Sequence, residues 1–123
     1  LFHQADIFVL PSLGECFGIA AIEAMAAGIP VVMTRVGGAA DIVDHGVNGL
    51  LVPPGDVMEL GRALNHLVLS PGLRESMGSR ARMTAERKFD AVRNAEQLIT
   101  CIQDAITRHR WRRPWTTEAA LTR

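Results

Sequence analysis

Residues 5–34 read ADIFVLPSLGECFGIAAIEAMAAGIPVVMT, and the fold class turns on them. Asp6-Ile-Phe-Val-Leu10 is a nearly continuous apolar run stopped by Pro11, the pattern of a strand buried on both faces. Pro11, Ser12 and Gly14 then make a turn. From Gly18 to Ala27 the chain offers mainly good helix formers, closed by Gly28 with Pro30 just beyond, which predicts a helix with its C-terminal cap. Pro30-Val-Val-Met-Thr34 is β-branched and apolar, so it predicts a second strand. The strand-to-strand spacing leaves room for a helical crossover, which parallel pairing requires.

Downstream, Gly37-Gly38 breaks the chain, Ala39 to Val43 can form a short helix, and Gly49 to Val52 reads as a third strand ended by Pro53-Pro54-Gly55. Asp56 with Glu59 three residues on suggests a capping box. Val57, Leu60, Leu64, Leu67 and Val68 repeat at helical spacing, giving an amphipathic helix over 57–69. Ser70-Pro71 restarts the chain with a cap and a first-turn proline, and a helix rich in arginine on its exposed face runs to about Phe89. Asp90 caps a last helix whose Val92, Ala95, Ile99, Ile102 and Ile106 step by three and four, one stripe expected against a core. Alternating strands and helices argue for an α/β fold with a Rossmann-like parallel sheet. Such a sheet typically has more strands than three, and Leu1 to Gln4 read as the last turn of a helix. We therefore expect the first strands to precede Leu1.

The composition agrees with one domain over most of the length. The 123 residues are 48% hydrophobic and 21% charged, enough to bury a core without staples. Disorder and a disulfide scaffold are excluded. Cys16 and Cys101 suit neither a disulfide framework nor a cysteine metal site, and His3, His45, His66 and His109 are scattered, so no metal is expected. Reduced thiols point to a cytoplasmic setting. No run approaches the ~20 apolar residues of a membrane span, and no export leader is visible. The formal net charge of zero conceals an asymmetry. Residues 1–73 hold seven acids against Arg35 and Arg62, a net of −5, whereas residues 74–123 carry eleven Arg or Lys against six acids, a net of +5.

Ligands of an open parallel sheet bind beyond the carboxyl ends of the strands, where loops diverge and helix N-termini converge. Two loops qualify, Pro11–Phe17 and Arg35–Ala39. The first leads into a helix whose opening amides make an anion site. Two carboxylates belong there: Glu15 in the loop and Glu23 roughly 7 Å along the helix axis. That arrangement suits hydrogen bonds to hydroxyls at two ends of an elongated polyol, since each carboxylate accepts several such bonds. Solvated surface glutamates have the same spacing, and so does the acid and nucleophile pair of a glycosidase, about 5 to 9.5 Å apart.

Several blocks in order carry a resemblance to a known family: Ala5-Asp-Ile-Phe-Val-Leu-Pro-Ser12, Glu15-Cys-Phe-Gly18, Glu23-Ala-Met-Ala-Ala-Gly28, Pro30-Val-Val, Gly37-Gly38, and Asn48-Gly-Leu-Leu-Val-Pro-Pro-Gly-Asp56. Over residues 5–90 the chain resembles the donor-binding, C-terminal half of retaining glycosyltransferases of family 4, which have the GT-B fold. The family's Glu, seven residues, Glu motif falls on Glu15 and Glu23. The resemblance implies that Glu15, the catalytic position, holds hydroxyls of the transferred sugar. It implies that the amides of Phe17 and Gly18 face that sugar and the phosphates, and that Glu23 grips the ribose. It implies a metal-independent transfer from a nucleotide sugar to an acceptor hydroxyl with retention, the departing diphosphate assisting deprotonation of the acceptor. Cys16 stands beside the sugar where the family usually has glycine, and Asp41 replaces a usual glutamate. The family's basic pair for the diphosphate and its whole acceptor domain lie upstream of the matching segment, so the chain is expected to be an N-terminally truncated donor domain (1–107), inactive alone, with Arg35 as the one cation close to the phosphates.

A nucleotide-sugar epimerase shares this architecture, and a non-catalytic nucleotide or sugar-phosphate binding module is a rival of another class. The remaining residues, 108–123, form a basic tail in which Arg108-His-Arg-Trp-Arg-Arg-Pro-Trp115 interleaves cations with indoles. The plain reading of that composition is a frayed, solvated end; it also suits weak contact with an anionic membrane surface, and nucleic acid is not an expected partner.

Overall fold

The computed structural model describes residues 4–108, which fall into two compact units divided after Phe89. The first unit runs β1 (Phe8–Leu10), α1 (Ile19–Ala26), β2 (Val31–Thr34), α2 (Ala39–Ile42), β3 (Gly49–Val52), α3 (Val57–Val68) and α4 (Pro71–Lys88). The second contains α5 (Ala91–Arg108). Of the helical turn expected over Leu1 to Gln4 only Gln4 is described. The basic tail beyond Arg108 lies outside the described residues.

The three strands are parallel in the order β1-β2-β3, so the α/β fold with a parallel sheet is as the sequence predicts. Phe8, Val9 and Leu10 stand opposite Val31, Val32 and Met33, which in turn stand beside Gly49, Leu50 and Leu51. β1 is shorter than the expected residues 6–10. Pro30 has no N–H to donate, so it contributes only its carbonyl, which accepts from the Phe8 amide at 3.0 Å, and the ladder begins there.

Successive side chains alternate between two covered faces. Phe8, Leu10, Val31, Met33 and Leu51 pack beneath α1, α2 and the middle of α4, with Met25, Ile42 and Ala81 among their neighbours. Val9, Val32, Leu50 and Val52 pack against α3 and the start of α4, chiefly Leu64, Leu67 and Met77. β2 is buried along its whole length, which is why Val31, Val32 and Met33 are apolar without alternation.

Caps explain where the helices stop. Gly28, at φ +79°, takes the left-handed turn after α1 and donates to the Met25 carbonyl at 2.9 Å while Ile29 donates to Ala24 at 3.0 Å. The Asp56 carboxylate accepts from the Glu59 amide at 2.9 Å. The reciprocal half of the expected capping box is not formed, because Glu59 turns to Arg62 instead. Val57 and Val68 also face solvent, so the apolar stripe of α3 is narrower than its periodicity suggests. Pro71 opens α4 as expected, but the Ser70 hydroxyl caps nothing; its carbonyl accepts from the Leu73 and Arg74 amides at 3.1 Å. The Arg74 guanidinium donates back to the carbonyls of Leu67 and Val68 at 2.7 and 2.9 Å, closing α3.

A buried amide joins distant parts. Asn48 is fully buried; its Oδ1 accepts from the Asp44 amide at 2.8 Å and its Nδ2 donates to the Thr84 hydroxyl at 3.2 Å. His45 has the same kind of task, its Nδ1 accepting from the Leu51 amide at 3.0 Å.

In the second unit Asp90 caps α5 as expected, accepting from the Arg93 amide at 2.9 Å. The stripe of Val92, Ile99, Ile102 and Ile106 is exposed, contrary to the expected core contact. α5 is the sole described element of its unit, and one helix offers no second apolar surface to cover its own stripe.

Helix α4 approaches the turn after α1 so closely that a β-carbon on Gly78 would overlap the Gly28 carbonyl oxygen and lie 3.3 Å from the Pro30 ring. Alanine is the better helix former by about 1 kcal/mol. We expect Gly78→Ala nonetheless to destabilise the chain by about 1 to 3 kcal/mol, read as a lower urea midpoint with an unchanged slope, because backbone must move to admit the methyl group.

Candidate functional site

Parallel strands end side by side, so the Pro11–Phe17 loop after β1 and the Arg35–Gly38 segment after β2 emerge at one edge of the sheet. These are the two loops expected to bear the site, and the structure brings them into direct contact. A β-carbon on Gly37 would overlap the Glu15 carbonyl oxygen and sit 3.0 Å from its carbon; one on Gly38 would sit 3.5 Å from the Cys16 carbonyl oxygen. Gly37 itself has φ +51°. Glycine is therefore required at residue 37 both for space and for backbone conformation.

Gly18 is the hinge between loop and helix. It occupies the N-cap of α1 in the left-handed region, at φ +61° and ψ +46°, and is buried. The amides of Ala21 and Ile22 turn inward to its carbonyl, at 2.9 and 3.4 Å, and no side chain caps the amides before them. The positive end of α1 thus faces the loop edge. Gly18 also lies on Met33 and Leu10, so this end of the helix is set directly upon the two strand termini.

The side chains singled out from the sequence distribute as follows. Glu15 is half-buried, and its Oε1 accepts from the Phe17 amide at 3.4 Å, a long bond that a better acceptor or donor would displace. Cys16 and Phe17 are exposed, the Phe17 ring meeting Phe89 edge-on with centroids 6.2 Å apart. Glu23 is exposed on α1, four residues beyond its start and so about 6 Å along the axis. Arg35 is exposed; its backbone amide extends the β2–β3 ladder to the Val52 carbonyl at 2.8 Å, and its guanidinium has no ion-pair partner among the described residues. Glu15 and Glu23 likewise take no part in the ion pairs Arg62–Glu59 and Arg82–Glu86. Asp41 is exposed on α2, its carbonyl accepting from Lys88 at 3.4 Å.

Two contributors escaped the sequence. Thr34 is buried at the end of β2, and its hydroxyl donates to the Ser12 carbonyl across the strand ends at 2.5 Å. The signal was a lone hydroxyl closing the otherwise apolar run Val31-Val-Met-Thr34. Phe89, just past α4, supports the Phe17 ring and was read only as a helix end. Among the described residues no three His, Cys, Asp or Glu side chains gather as a metal would need, and no helix is long and apolar enough to cross a membrane. A shallow cavity of about 240 Å³ lies at the other end of the sheet, beside Asp6, Pro30, Arg74 and Glu75. Its arginine is already committed to the α3 carbonyls, so it is poorer in free recognition groups than the loop edge.

The chain is similar to several known proteins. The family described as "Glycosyl transferases group 1" matches residues 1–84. A D-inositol 3-phosphate glycosyltransferase of Saccharomonospora viridis is 38% identical over 110 residues, 89% of this chain and 25% of that protein. Among solved structures, a sucrose-phosphate synthase from Thermosynechococcus elongatus superposes with a TM-score of 0.82 at 33% identity, over 87% of this chain and 27% of that one. The HepE protein of Anabaena, solved with UDP-glucose, gives a TM-score of 0.79 at 33% identity, over 84% and 29% of the two chains. The chain spans about a quarter of the length of the curated relatives it matches.

The left-handed Gly18 has a measurable consequence. Gly18→Ala should cost about 1 to 2 kcal/mol from the backbone alone, with added crowding from the Met33 methyl at 3.2 Å. An unfolding midpoint equal to that of the wild type would contradict this account of the turn.

Proposed function

The chain belongs to the glycosyl transferases group 1 family, and from that membership we propose that it builds the donor-binding part of a family 4 glycosyltransferase, which moves a hexosyl group from a nucleotide sugar to an acceptor hydroxyl with retention. The observation that supports this reading is that the half-buried Glu15 in the loop after β1 and the uncapped amides at the head of α1 lie where β1 and β2 end, with the exposed Glu23 about one turn further along the same helix. A donor is an elongated molecule with hydroxyls at both ends and negative charge between them. In this reading the two glutamates supply acceptors at the ends and the opening amides of α1 supply N–H dipoles between them.

In this assignment Glu15 orients the sugar hydroxyls, with Cys16 beside it. The Phe17 and Gly18 amides face sugar and phosphate, Glu23 accepts from the ribose, and Arg35 approaches the diphosphate. No metal is required. The bond from the anomeric carbon to the terminal phosphate breaks, the acceptor oxygen bonds to the same face of that carbon, and its proton passes to the departing phosphate oxygen. Glu15 contributes orientation rather than nucleophilic attack. An epimerase and a pure binding module are less well supported than transfer, since the relatives are glycosyltransferases by name. Residues 1–123 alone are proposed not to transfer, because two phosphates need more cationic partners than Arg35. The similarity to a protein solved with UDP-glucose makes UDP-sugars the first donors to try.

Substitution of the two glutamates in the full-length protein tests the assignment. Glu23→Gln should weaken donor binding whatever the sugar, and Glu15→Gln should mainly lower turnover, each by about 1 to 3 kcal/mol of lost charged hydrogen bonding. Steady-state kinetics with UDP-, GDP- and ADP-sugars measures both, and proton NMR of the product reads the anomeric outcome. Wild-type kinetics in both variants would retire the proposal.

A further inference from the structure

The Pro11–Phe17 loop has almost no hydrogen bonding of its own. Among the described residues none of its backbone amides donates to a backbone carbonyl, and its one internal bond is the 3.4 Å contact between the Phe17 amide and Glu15. A segment without internal bonds takes its shape from what it touches. Here that is mostly the end of β2 and the segment after it: Thr34 holds the Ser12 carbonyl at the loop's start, and the bare backbone of Gly37 lies on the Glu15 carbonyl at its middle. Gly38 lies beneath Cys16 and the Phe17 ring at its end, where Phe89 completes the support. α1, which carries Glu23, is anchored separately, by Ala21, Ala24 and Met25 in the core.

We propose that Thr34 and Gly37 are positioning residues for Glu15: the hydroxyl of Thr34 and the absent side chain of Gly37 fix the height and pitch of the loop, and so aim the Glu15 carboxylate at the transferred sugar while leaving the nucleotide end of the site untouched. The inference rests on the donor-site assignment above and extends it from the groups that touch the ligand to the groups that aim them. Its physical basis is that reacting groups must be held to within fractions of an ångström, and a displacement of about 1 Å can cost on the order of a hundredfold in rate.

The separate anchoring of loop and helix supplies the test. In the full-length protein, Thr34→Val keeps the size and shape of the side chain but releases the Ser12 carbonyl, Thr34→Ser retains the hydroxyl, and Gly37→Ala lifts the loop from below. UDP-, GDP- and ADP-sugars are screened with the wild type, and each variant is then measured for kcat and KM with the active donor and for the Kd of the matching free nucleoside diphosphate. We expect Thr34→Val and Gly37→Ala to lower kcat by about tenfold to a hundredfold with the nucleoside diphosphate Kd within about twofold of wild type, and Thr34→Ser to restore most of the rate. Wild-type kcat in both variants would overturn the inference. So would a nucleoside diphosphate affinity that falls in step with kcat and Tm, or loss of folding in both, since either makes the two residues merely structural. Glu15→Gln and Glu23→Gln run alongside separate the two levels. Unaffected glutamate variants, or a wild type that uses no donor, sink the donor-site reading itself, whereas impaired glutamate variants beside unimpaired Thr34→Val and Gly37→Ala sink the positioning role alone.

Discussion

Parallel hydrogen bonding between β1 and β2 is the constraint from which the rest of the first unit follows. A parallel strand must return to the end at which its neighbour began, so the twenty residues between Leu10 and Val31 have to climb back across one face of the sheet, and α1 is the means. Once that is imposed, both strands finish at the same edge. The loop after β1 and the segment after β2 then have to share space there, and the sequence accommodates them with Gly37 and Gly38. The close approach of Gly37 to the Glu15 carbonyl is thus a consequence of strand direction, and the glycine is the residue type that consequence demands.

The same constraint governs the interior. β2 sits between two partners and between two helical layers, so it is apolar at every position until Thr34, where the sheet ends and a hydroxyl can find a carbonyl. α4 serves both faces, touching one through Ala81 and Ala85 and the other through Met77 and Leu73. It reaches both because Gly78 lets it settle onto the Gly28 turn. Asn48 then ties α4 to the approach of β3 through Thr84, a buried polar link with both ends satisfied.

What could be read from the sequence follows from the range of the interactions involved. Local signals were legible: the apolar run at β2, the left-handed Gly28, the cap at Asp56 and the first-turn Pro71 all depend on residues within one or two turns of each other, and they fall where expected. The pair Glu15 and Glu23 was legible as a candidate site for the same reason, since loop and helix are adjacent in the chain. Contacts across the fold were not. Nothing in Gly37 or Gly78 says which carbonyl each will meet, and Ser70 looks like a side-chain cap for α4 although its hydroxyl is unused, while Arg74 reaches back to close the end of α3. The stripe on α5 is periodic, but periodicity states that a helix has an apolar face and is silent on what covers it.

Electrostatics divides the labour along the candidate site. The ion pairs Arg62 with Glu59 and Arg82 with Glu86 lie on α3 and α4, and neither Glu15 nor Glu23 enters one. An arginine bound to either glutamate would occupy the lone pairs that a hydroxyl needs; Glu23 is exposed and Glu15 accepts one long bond, from the Phe17 amide, so both keep acceptor sites available. The condition that suits hydroxyls is adverse to phosphates, because residues 1–73 already carry a net charge of −5. The offset has to come from fixed dipoles and nearby cations, and the groups at hand are the opening amides of α1 and the unpaired guanidinium of Arg35. In the proposed assignment, a ligand neutral and hydroxylated at its ends and anionic in its middle matches that order of groups, and a ligand anionic at its ends would meet a carboxylate at each.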